Sequence, residues 1–346
     1  MRGNIVLIKR PFTYISNALV KRLITVEDSI NIAEQTLRDH YAGDIAWSSP
    51  RLTTLEPPGC STSFKFKGGS NRRLGIAGFR LFSDNRTDAA IAIAGSRPTK
   101  HVLLSDYTTG EVFAIVDEHW SHALRTGACA AVAAKHLMVP GTTEAAVVGT
   151  GYMAYCSIRA LNSVMRIDRL KVWSRDSERL ESFVRRIRHE LGITVEAAPS
   201  AEQCVANMRV VITVTNAPSP FLKREWFAPG VFIYAMGNHQ EVDLATYLSM
   251  TFFADEREQV KVCPDISALM QSGALPTDHV QADLGEVVGD PRNGRTSLDE
   301  QIIVRSQGLA SQDIAQAYWI YNKALESGSG ANLEPYLVEQ AGAPLF

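Results

Sequence analysis

Apolar residues near the beginning of the chain recur every three or four positions, which is the spacing of one face of an α-helix. They are Val26, Ile30, Ala33 and Leu37. Thr25 precedes them, Asp28 stands three positions after it, and Gly43 follows the last of them. Because Thr and Asp at that spacing cap a helix N-terminus and glycine commonly ends a helix, we predict one amphipathic helix between Thr25 and Gly43.

Strand-like patterns dominate the chain from there to about residue 120. The plainest is a β-hairpin with strands at His101–Ser105 and Glu111–Val116 and a turn at 106–110 that ends in glycine. From Ser121 onward the pattern is a helix rich in alanine, whose short side chains allow another element to approach closely. Residues 1–120 are therefore predicted to form a mixed, largely antiparallel domain, and the alanine-rich helix to pack between domains.

Short apolar runs alternate with helical patterns in the second half of the chain. The predicted strands are Ala145–Gly149, Leu170–Trp173, Ile193–Val195, Val210–Val214, Val231–Ala235 and Thr251–Ala254, with helices beginning at Gly151 and Asp176. Such strands are typical of a parallel sheet covered on both faces. A last helix, Gln312–Leu325, is predicted to return to the first domain. The predicted fold class is α/β, with a doubly wound domain at 121–308 and a discontinuous mixed α+β domain at 1–120 plus 309–346.

A glycine-rich turn links the first strand of the doubly wound domain to its helix. It reads Gly149-Thr150-Gly151-Tyr152-Met153-Ala154 and fits the pattern G-x-G-x-x-A. The first glycine suits the tight turn, the second lets the backbone touch a pyrophosphate, and the helix N-terminus meets the negative charge. These residues therefore predict a Rossmann domain that binds a dinucleotide.

The end of the next strand bears on the choice between NAD and NADP. An acid for the ribose usually stands about 20 residues after the glycines, but here Ser174 and Arg175 come before Asp176. A guanidinium and a hydroxyl suit a 2′-phosphate, so NADP is favoured, while Asp176 leaves NAD open. Thr215 and the pair Met236-Gly237, at the ends of later strands, are also expected to contact the cofactor.

The composition narrows the class of protein. The chain has 346 residues, 45% of them hydrophobic, and a formal net charge of -2; at roughly 150 residues per domain it has room for two domains. No excess of positive charge favours nucleic acid or a membrane surface as a partner. We find no signal-type segment and expect a cytoplasmic protein. The five cysteines are too widely spaced to predict a disulfide framework or a metal site.

Several short blocks occur in one order between residues 75 and 325. They are Leu103-Leu104-Ser105-Asp106, Thr109-Gly110-Glu111, Ala114-Ile115-Val116-Asp117, Leu124-Arg125-Thr126-Gly127-Ala128, Val148-Gly149-Thr150-Gly151, Asp283-Leu284-Gly285-Glu286-Val287 and Gly308-Leu309-Ala310-Ser311-Gln312-Asp313. In this combination the chain resembles the ornithine cyclodeaminase and mu-crystallin family. The resemblance implies a Rossmann domain, a discontinuous substrate-binding and dimerisation domain, a nicotinamide cofactor, a homodimer, and chemistry at an amino- or imino-acid carbon.

The same resemblance implies roles for three arginines. Arg125 matches the arginine that holds the substrate carboxylate, and Arg51 resembles an earlier arginine with the same role. Arg80 stands where cyclodeaminases carry a catalytic lysine. Because an arginine does not give up its proton, Arg80 is expected to bind a carboxylate and not to act as a base.

Lysines on a nearby predicted strand could replace the missing one. Lys65 and Lys67 alternate with phenylalanines, and Lys65 is retained as a candidate substrate-binding residue. The same alternation is also typical of a strand with one solvent-facing side. Where cyclodeaminases carry an aspartate after the fifth Rossmann strand, this chain has Asn238 and His239. Asn238 can orient an amine or imine, and His239 can transfer a proton near neutral pH.

These observations predict an NAD(P)-dependent oxidoreductase that acts on the C–N bond of a small amino or imino acid. Arg80, Asn238 and His239 are the candidate catalytic residues. Three arginines are more than one carboxylate needs, which suggests a dicarboxylic imine such as iminosuccinate. Two alternatives stay open: an ornithine cyclodeaminase that releases ammonia with no net redox change, and a mu-crystallin-like protein that binds NADP and a small ligand.

Overall fold

The structure is a computed structural model that describes residues 12–60, 62–85, 98–237 and 240–332. The chain divides into two compact units. The strand-rich unit comprises the described parts of Met1–Ile24, Ala46–Ser121 and Asp313–Phe346, and the Rossmann unit comprises Thr25–Ile45 and His122–Gln312. The chain therefore passes twice into the strand-rich unit after leaving it, as the prediction of a discontinuous domain requires.

The strand-rich unit is built around one eight-stranded sheet. Its elements are β1 (Thr13–Ile15), α1 (Asn17–Leu23), β2 (Ile45–Trp47), β3 (Thr53–Leu55), β4 (Thr62–Asn71), β5 (Ile76–Asn85), β6 (Lys100–Asp106), β7 (Val112–Asp117) and β16 (Ala331–Asn332). The strand order is β16-β1-β7-β6-β5-β4-β2, with β3 also paired to β4. From β4 to β7 each neighbouring pair is antiparallel, whereas β1 joins β7 in parallel.

The predicted hairpin is present as β6 and β7. The carboxylate of Asp106 accepts hydrogen bonds from the backbone amides of Thr108 and Thr109, both at 2.9 Å. These bonds fix the chain reversal, because an aspartate at the start of a turn satisfies amides that the ladder leaves unpaired. The observed strands extend the predicted ones by one residue at most ends.

The two faces of this sheet differ sharply in exposure. One face carries fully buried residues such as Ile76, Val102 and Val116, and α11 (Ala310–Glu326) packs on it. The opposite face, here called the open face, carries apolar side chains in register: Phe66 opposite Leu81, Phe79 opposite Leu103, and Leu103 opposite Ile115. Phe66 and Phe79 are 37% and 54% exposed.

The first predicted helix is confirmed as α2 (Val26–Tyr41). Thr25 Oγ1 accepts from the amide of Asp28 at 3.1 Å, and Asp28 Oδ2 accepts from the amide of Thr25 at 3.0 Å, so the capping box is closed. This helix groups with the Rossmann unit and not with the predicted domain 1–120. The reason is its packing on α10 (Leu284–Gly289), where only a glycine at 289 leaves room for the ring of Tyr41.

The Rossmann unit holds a second eight-stranded sheet. Its elements, apart from α2 and α10, are α3 (His119–Leu137), β8 (Glu144–Val148), α4 (Tyr152–Val164), β9 (Arg169–Trp173), α5 (Ser177–Leu191), β10 (Val195–Ala197), α6 (Ala201–Val205), β11 (Val210–Thr213), β12 (Phe232–Ala235), α7 (Leu244–Ser249), β13 (Thr251–Ala254), α8 (Arg257–Lys261), α9 (Pro264–Gln271), β14 (Ala282–Asp283) and β15 (Ile302–Arg305). The strand order is β10-β9-β8-β11-β12-β15-β13-β14 and every pair is parallel.

The strand order places the switch between β8 and β11, where the chain reverses the direction in which it adds strands. Ligands of doubly wound sheets bind beyond the carboxyl ends of the strands at such a point. The predicted doubly wound α/β class is confirmed. No helix in the part of the chain that the structure describes is long and apolar enough to span a bilayer.

Candidate functional site

The glycine-rich turn lies at the switch point, at the carboxyl end of β8. Gly149 has φ +125°, and a Cβ at this position would collide with the carbonyl oxygen of Val214, so no other residue fits without strain. Gly151 precedes α4, its side-chain position faces open space, and no side chain caps this helix. The first amides of α4 are therefore placed as a pyrophosphate site requires.

The residues predicted to choose between the two nicotinamide cofactors follow β9. Ser174 is half-buried and Arg175 is exposed. The carboxylate of Asp176 accepts the amide of Arg179 at 3.0 Å as the N-cap of α5 and lies 3.3 Å from Nε of Arg179. The carboxylate of Asp176 therefore caps its own helix.

A buried carboxylate that the sequence analysis did not single out joins the loops after β11 and β12. Glu241 is 1% exposed and accepts from the amide of Thr215 at 2.6 Å and from that of Gly237 at 2.8 Å. Burial raises the pKa of this carboxyl above its ordinary value, although the amides of Thr215 and Gly237 oppose the shift. Glu241 thereby holds together two loops that carry predicted cofactor contacts. Met236 lies between β12 and Gly237, and Asn238 and His239 lie outside the described residues.

Arg125 lies in α3 and is 4% exposed. Its Nη2 donates to Nδ1 of His122 at 3.0 Å, one turn earlier in the helix. On the other side a Cβ at Gly308 would stand 2.7 Å from Nη1, so the guanidinium rests against the backbone of Gly308. Gly308 has φ +78°, which favours glycine at this position.

Arg125 is also close to the helix that the glycine turn begins. A Cβ at Gly127 would be 2.6 Å from the backbone of Cys156 in α4, so glycine at 127 allows α3 and α4 to pack closely. Gly308 follows β15 and Gly149 follows β8, and parallel strands end at one edge of the sheet. Arg125 and the dinucleotide turn therefore occupy the same edge of the Rossmann unit.

The strand-rich unit contains its own buried charges around Arg80. This side chain is 3% exposed, and its Nε donates to Oε1 of Glu118 at 2.5 Å and lies 3.7 Å from Oδ2 of Asp313. Its guanidinium carbon lies 4.1 Å from the centre of the Phe82 ring. Glu118 and Asp313 are both buried, and the sequence analysis missed both.

The two candidate lysines of β4 have different surroundings. Lys67 is 4% exposed and stands directly opposite Arg80 in the β4–β5 ladder. Lys65 forms an ion pair with Asp84 at 2.6 Å, and its side chain is 30% exposed. The structure therefore associates Lys67 with Arg80, and it associates Lys65, on the same side of β4, with Asp84. Arg51 is half-buried and its guanidinium carbon lies 4.8 Å from the centre of the Trp47 ring.

The sequence matches a family model over residues 16–328, and that model describes the ornithine cyclodeaminase/mu-crystallin family. The chain belongs to this family. The predicted family is thereby confirmed, and with it the interpretation of the short blocks from Leu103 to Asp313 as family motifs.

The chain is similar to two named relatives over almost their full length. The alanine dehydrogenase of Archaeoglobus fulgidus is 28% identical over 326 residues, which are 91% of this chain and 96% of the relative. The Δ1-pyrroline-2-carboxylate reductase of Bacillus thuringiensis subsp. konkukian is 28% identical over 328 residues, which are 91% and 97% of the two chains.

A solved structure with a similar sequence has the same fold. The structure of an archaeal alanine dehydrogenase dimer with bound NAD superposes with a TM-score of 0.86 and 26% identity, covering 94% of this chain and 99% of that one. The predicted NAD(P) dependence is in accord with this neighbour. The predicted preference for NADP finds no support in it, because the cofactor named there is NAD.

Proposed function

We propose that this chain is an NAD(P)-dependent oxidoreductase that acts on the C–N bond of a small amino or imino acid. The enzyme class predicted from the sequence is confirmed by the relatives, an alanine dehydrogenase and a Δ1-pyrroline-2-carboxylate reductase. A bound nicotinamide supplies or accepts a hydride at the carbon of the C–N bond. The residues of this chain have to hold the cofactor, fix the substrate carboxylate and exchange one proton with the nitrogen.

One observation carries the proposal: a buried arginine lies at the same edge of the Rossmann unit as the dinucleotide turn. Arg125 is held between His122 and the backbone of Gly308, so its guanidinium has a fixed plane. A fixed guanidinium can bind a carboxylate through two parallel hydrogen bonds. Such a clamp places the neighbouring carbon of an amino or imino acid at a constant position, which is the main contribution that a protein makes to hydride transfer.

The residues at the switch point fit a nicotinamide dinucleotide. The open N-terminus of α4 suits the pyrophosphate, and the loops held by Glu241 suit the remaining part of the cofactor, with Thr150, Tyr152, Met153, Thr215 and Met236 as further contacts. Ser174 and Arg175 favour NADP over NAD in this proposal. The exposed guanidinium of Arg175 gains hydrogen bonds from a 2′-phosphate that a 2′-hydroxyl does not provide.

Arg51 and Arg80 are proposed to bind further carboxylate oxygen, which makes a dicarboxylic imine such as iminosuccinate the preferred substrate class. The ion pair with Glu118 fixes the plane of the Arg80 guanidinium. His239 or a bound water is proposed to supply the proton, and Asn238 to orient the nitrogen. A lysine beside Arg80 is also available, since Lys67 is buried directly opposite it.

The open face of the strand-rich unit supports a homodimer. Phe79 is 54% exposed and Phe66 is 37% exposed on a sheet face that also carries Leu81, Leu103 and Ile115. A contiguous apolar face of this kind commonly marks a protein–protein contact, and the solved alanine dehydrogenase is a dimer. Sedimentation of Phe79→Lys should show a shift toward monomer relative to the wild type. An unchanged dimer would place the interface elsewhere.

The proposal is tested by following NADPH and NADH absorbance with the purified protein. The panel consists of oxaloacetate with ammonium, pyruvate with ammonium, and Δ1-pyrroline-2-carboxylate. We expect absorbance to fall with at least one of them, and the rate to be highest with oxaloacetate and ammonium, which form iminosuccinate. No loss with any of the three, together with tight NADPH binding, would favour the mu-crystallin-like alternative.

A further inference from the structure

A second buried carboxylate of the Rossmann unit lies behind the surface that Arg125 rests on. Asp255 follows β13 directly and is 3% exposed. Its Oδ2 accepts three hydrogen bonds, from Ser306 Oγ at 3.0 Å, from the amide of Gln307 at 2.8 Å and from the amide of Gly308 at 2.6 Å. Its Oδ1 accepts from the amide of Glu256 at 3.0 Å.

The segment that Asp255 holds is the connection between β15 and α11. Three consecutive residues, 306 to 308, donate to one carboxylate oxygen, so their positions are fixed together. Gly308 is the last of them, and the guanidinium of Arg125 lies against its backbone: a Cβ there would be 2.7 Å from Nη1 and 3.0 Å from Nη2. A movement of this segment by a few tenths of an ångström would therefore change the plane of the guanidinium.

We infer that Asp255 is a positioning residue for Arg125 and sets the affinity of the enzyme for the substrate carboxylate. The inference rests on the proposed function, since it takes Arg125 as the carboxylate clamp. Asp255 acts through the backbone of Gly308 and does not touch the substrate itself. His122 within α3 and the segment 306–308 then both contribute to where the terminal nitrogens of Arg125 point.

The physical basis is the difference between a charged and a neutral acceptor. Hydrogen bonds to a carboxylate are shorter and stronger than those to an amide oxygen. Asp255→Asn retains the shape but replaces one oxygen with an NH₂ group, which cannot accept from an amide. The segment 306–308 loses part of its restraint, and the clamp loses its fixed plane. Ser306→Ala is a milder change of the same kind, because it removes only one of the three donors.

The test measures KM and kcat for the panel compound with the highest wild-type rate. Asp255→Asn is expected to raise KM at least fivefold and to change kcat and the Kd of NADPH less than twofold. Ser306→Ala is expected to raise KM about twofold. Asp28→Asn, which removes a carboxylate that caps α2 far along the chain from this segment, serves as the matched control and should leave KM unchanged.

A double-mutant cycle with Arg125→Lys separates positioning from general damage to the fold. If Asp255 acts through Arg125, adding Asp255→Asn to Arg125→Lys should raise KM less than twofold further. A full fivefold increase in that background would overturn the inference, as would a KM within twofold of the wild type for both Asp255→Asn and Ser306→Ala. An Arg125→Lys variant with wild-type KM would show that Arg125 is not the carboxylate clamp. That result would overturn both the proposed function of Arg125 and this inference.

Discussion

Two buried arginines of similar exposure have different surroundings, and the difference predicts whether stability or catalysis depends more strongly on each of them. Arg80 in the strand-rich unit lies 2.5 Å from Glu118 and 3.7 Å from Asp313, both carboxylates. Arg125 in the Rossmann unit is held by a ring nitrogen of His122 and by the backbone of Gly308. A buried cation is stabilised by an anionic partner; Glu118 is such a partner for Arg80, whereas His122 and the backbone of Gly308 orient the guanidinium of Arg125.

The largest effect on stability should come from breaking the Arg80 cluster. Arg80→Met leaves the buried carboxylates of Glu118 and Asp313 without this cation, and removing one partner of a buried pair costs about 3–5 kcal/mol. The free energy of unfolding, measured by urea denaturation, should fall by that amount.

Lys65→Met provides the matched control for Arg80→Met. It removes an ion pair with Asp84 in which both side chains are partly exposed, and such pairs contribute about 0–1 kcal/mol. Equal losses for the two variants would contradict the distinction between the buried and the exposed pair.

Arg125→Ala should reduce catalysis more strongly than it reduces stability. Loss of a buried charge pair with the substrate carboxylate weakens transition-state binding by about 2–5 kcal/mol, so kcat/KM should fall at least thirtyfold. The free energy of unfolding should change less than for Arg80→Met. Arg125→Lys should recover only part of the loss, because it keeps the charge but not the forked donors. A kcat/KM of Arg125→Ala within about threefold of the wild type would remove this residue from the substrate site.

The third prediction concerns the choice between NADPH and NADH at Ser174 and Arg175. Each charge-assisted hydrogen bond to a 2′-phosphate contributes roughly 1.5–3 kcal/mol, so the wild type should bind NADPH more tightly than NADH. The double change Ser174→Asp with Arg175→Ala should invert this preference by repelling the phosphate. Fluorescence titration of both cofactors checks it. A wild type that prefers NADH would mean that Asp176 or another residue holds the ribose.

A pH-dependent effect on stability is expected from Asp283, a carboxylate with a more distant cation. Asp283 Oδ1 lies 3.7 Å from Nε of Arg257, and burial raises its pKa to about 7 from the ordinary 3.8. The folded chain then binds a proton that the unfolded chain has released between these pH values, so Asp283 should stabilise the fold below about pH 4 and lose this contribution as pH rises through 7. Urea denaturation of Asp283→Asn should show a weaker decline from pH 4 to 8 than the wild type. Parallel declines would assign the effect to another group.

The sequence predicted those parts of the fold in which local patterns decide the structure. Thr25 and Asp28 closed the predicted capping box, and Asp106 formed the predicted turn. β15 escaped prediction because it ends in Arg305, a buried charge paired with Asp265 at 3.1 Å. The sequence also did not predict that α2 packs in the Rossmann unit, because its contact with Gly289 of α10 joins elements that are far apart in the chain.

The residues of the candidate site also fall into a group that local sequence predicts and a group that it does not. The spacing of the glycine motif predicts Gly149 and Gly151 as cofactor contacts, and the family resemblance predicts Arg125 as a carboxylate ligand. Glu241, Asp255, Glu118 and Asp313 are buried acids whose partners lie on other strands or helices. Nothing in their immediate neighbours distinguishes them from solvated surface acids, so tertiary contacts were needed to identify them.

The central claim, a net reduction of an imino acid, is tested most directly by the stoichiometry of the reaction. Wild-type protein is supplied with NADPH, oxaloacetate and ammonium, and in a parallel reaction with ornithine and NAD. The account predicts one NADPH consumed for each amino acid formed in the first reaction, and no proline in the second. Conversion of ornithine to proline and ammonia with no net change in the cofactor would contradict it and assign the chain to the cyclodeaminases.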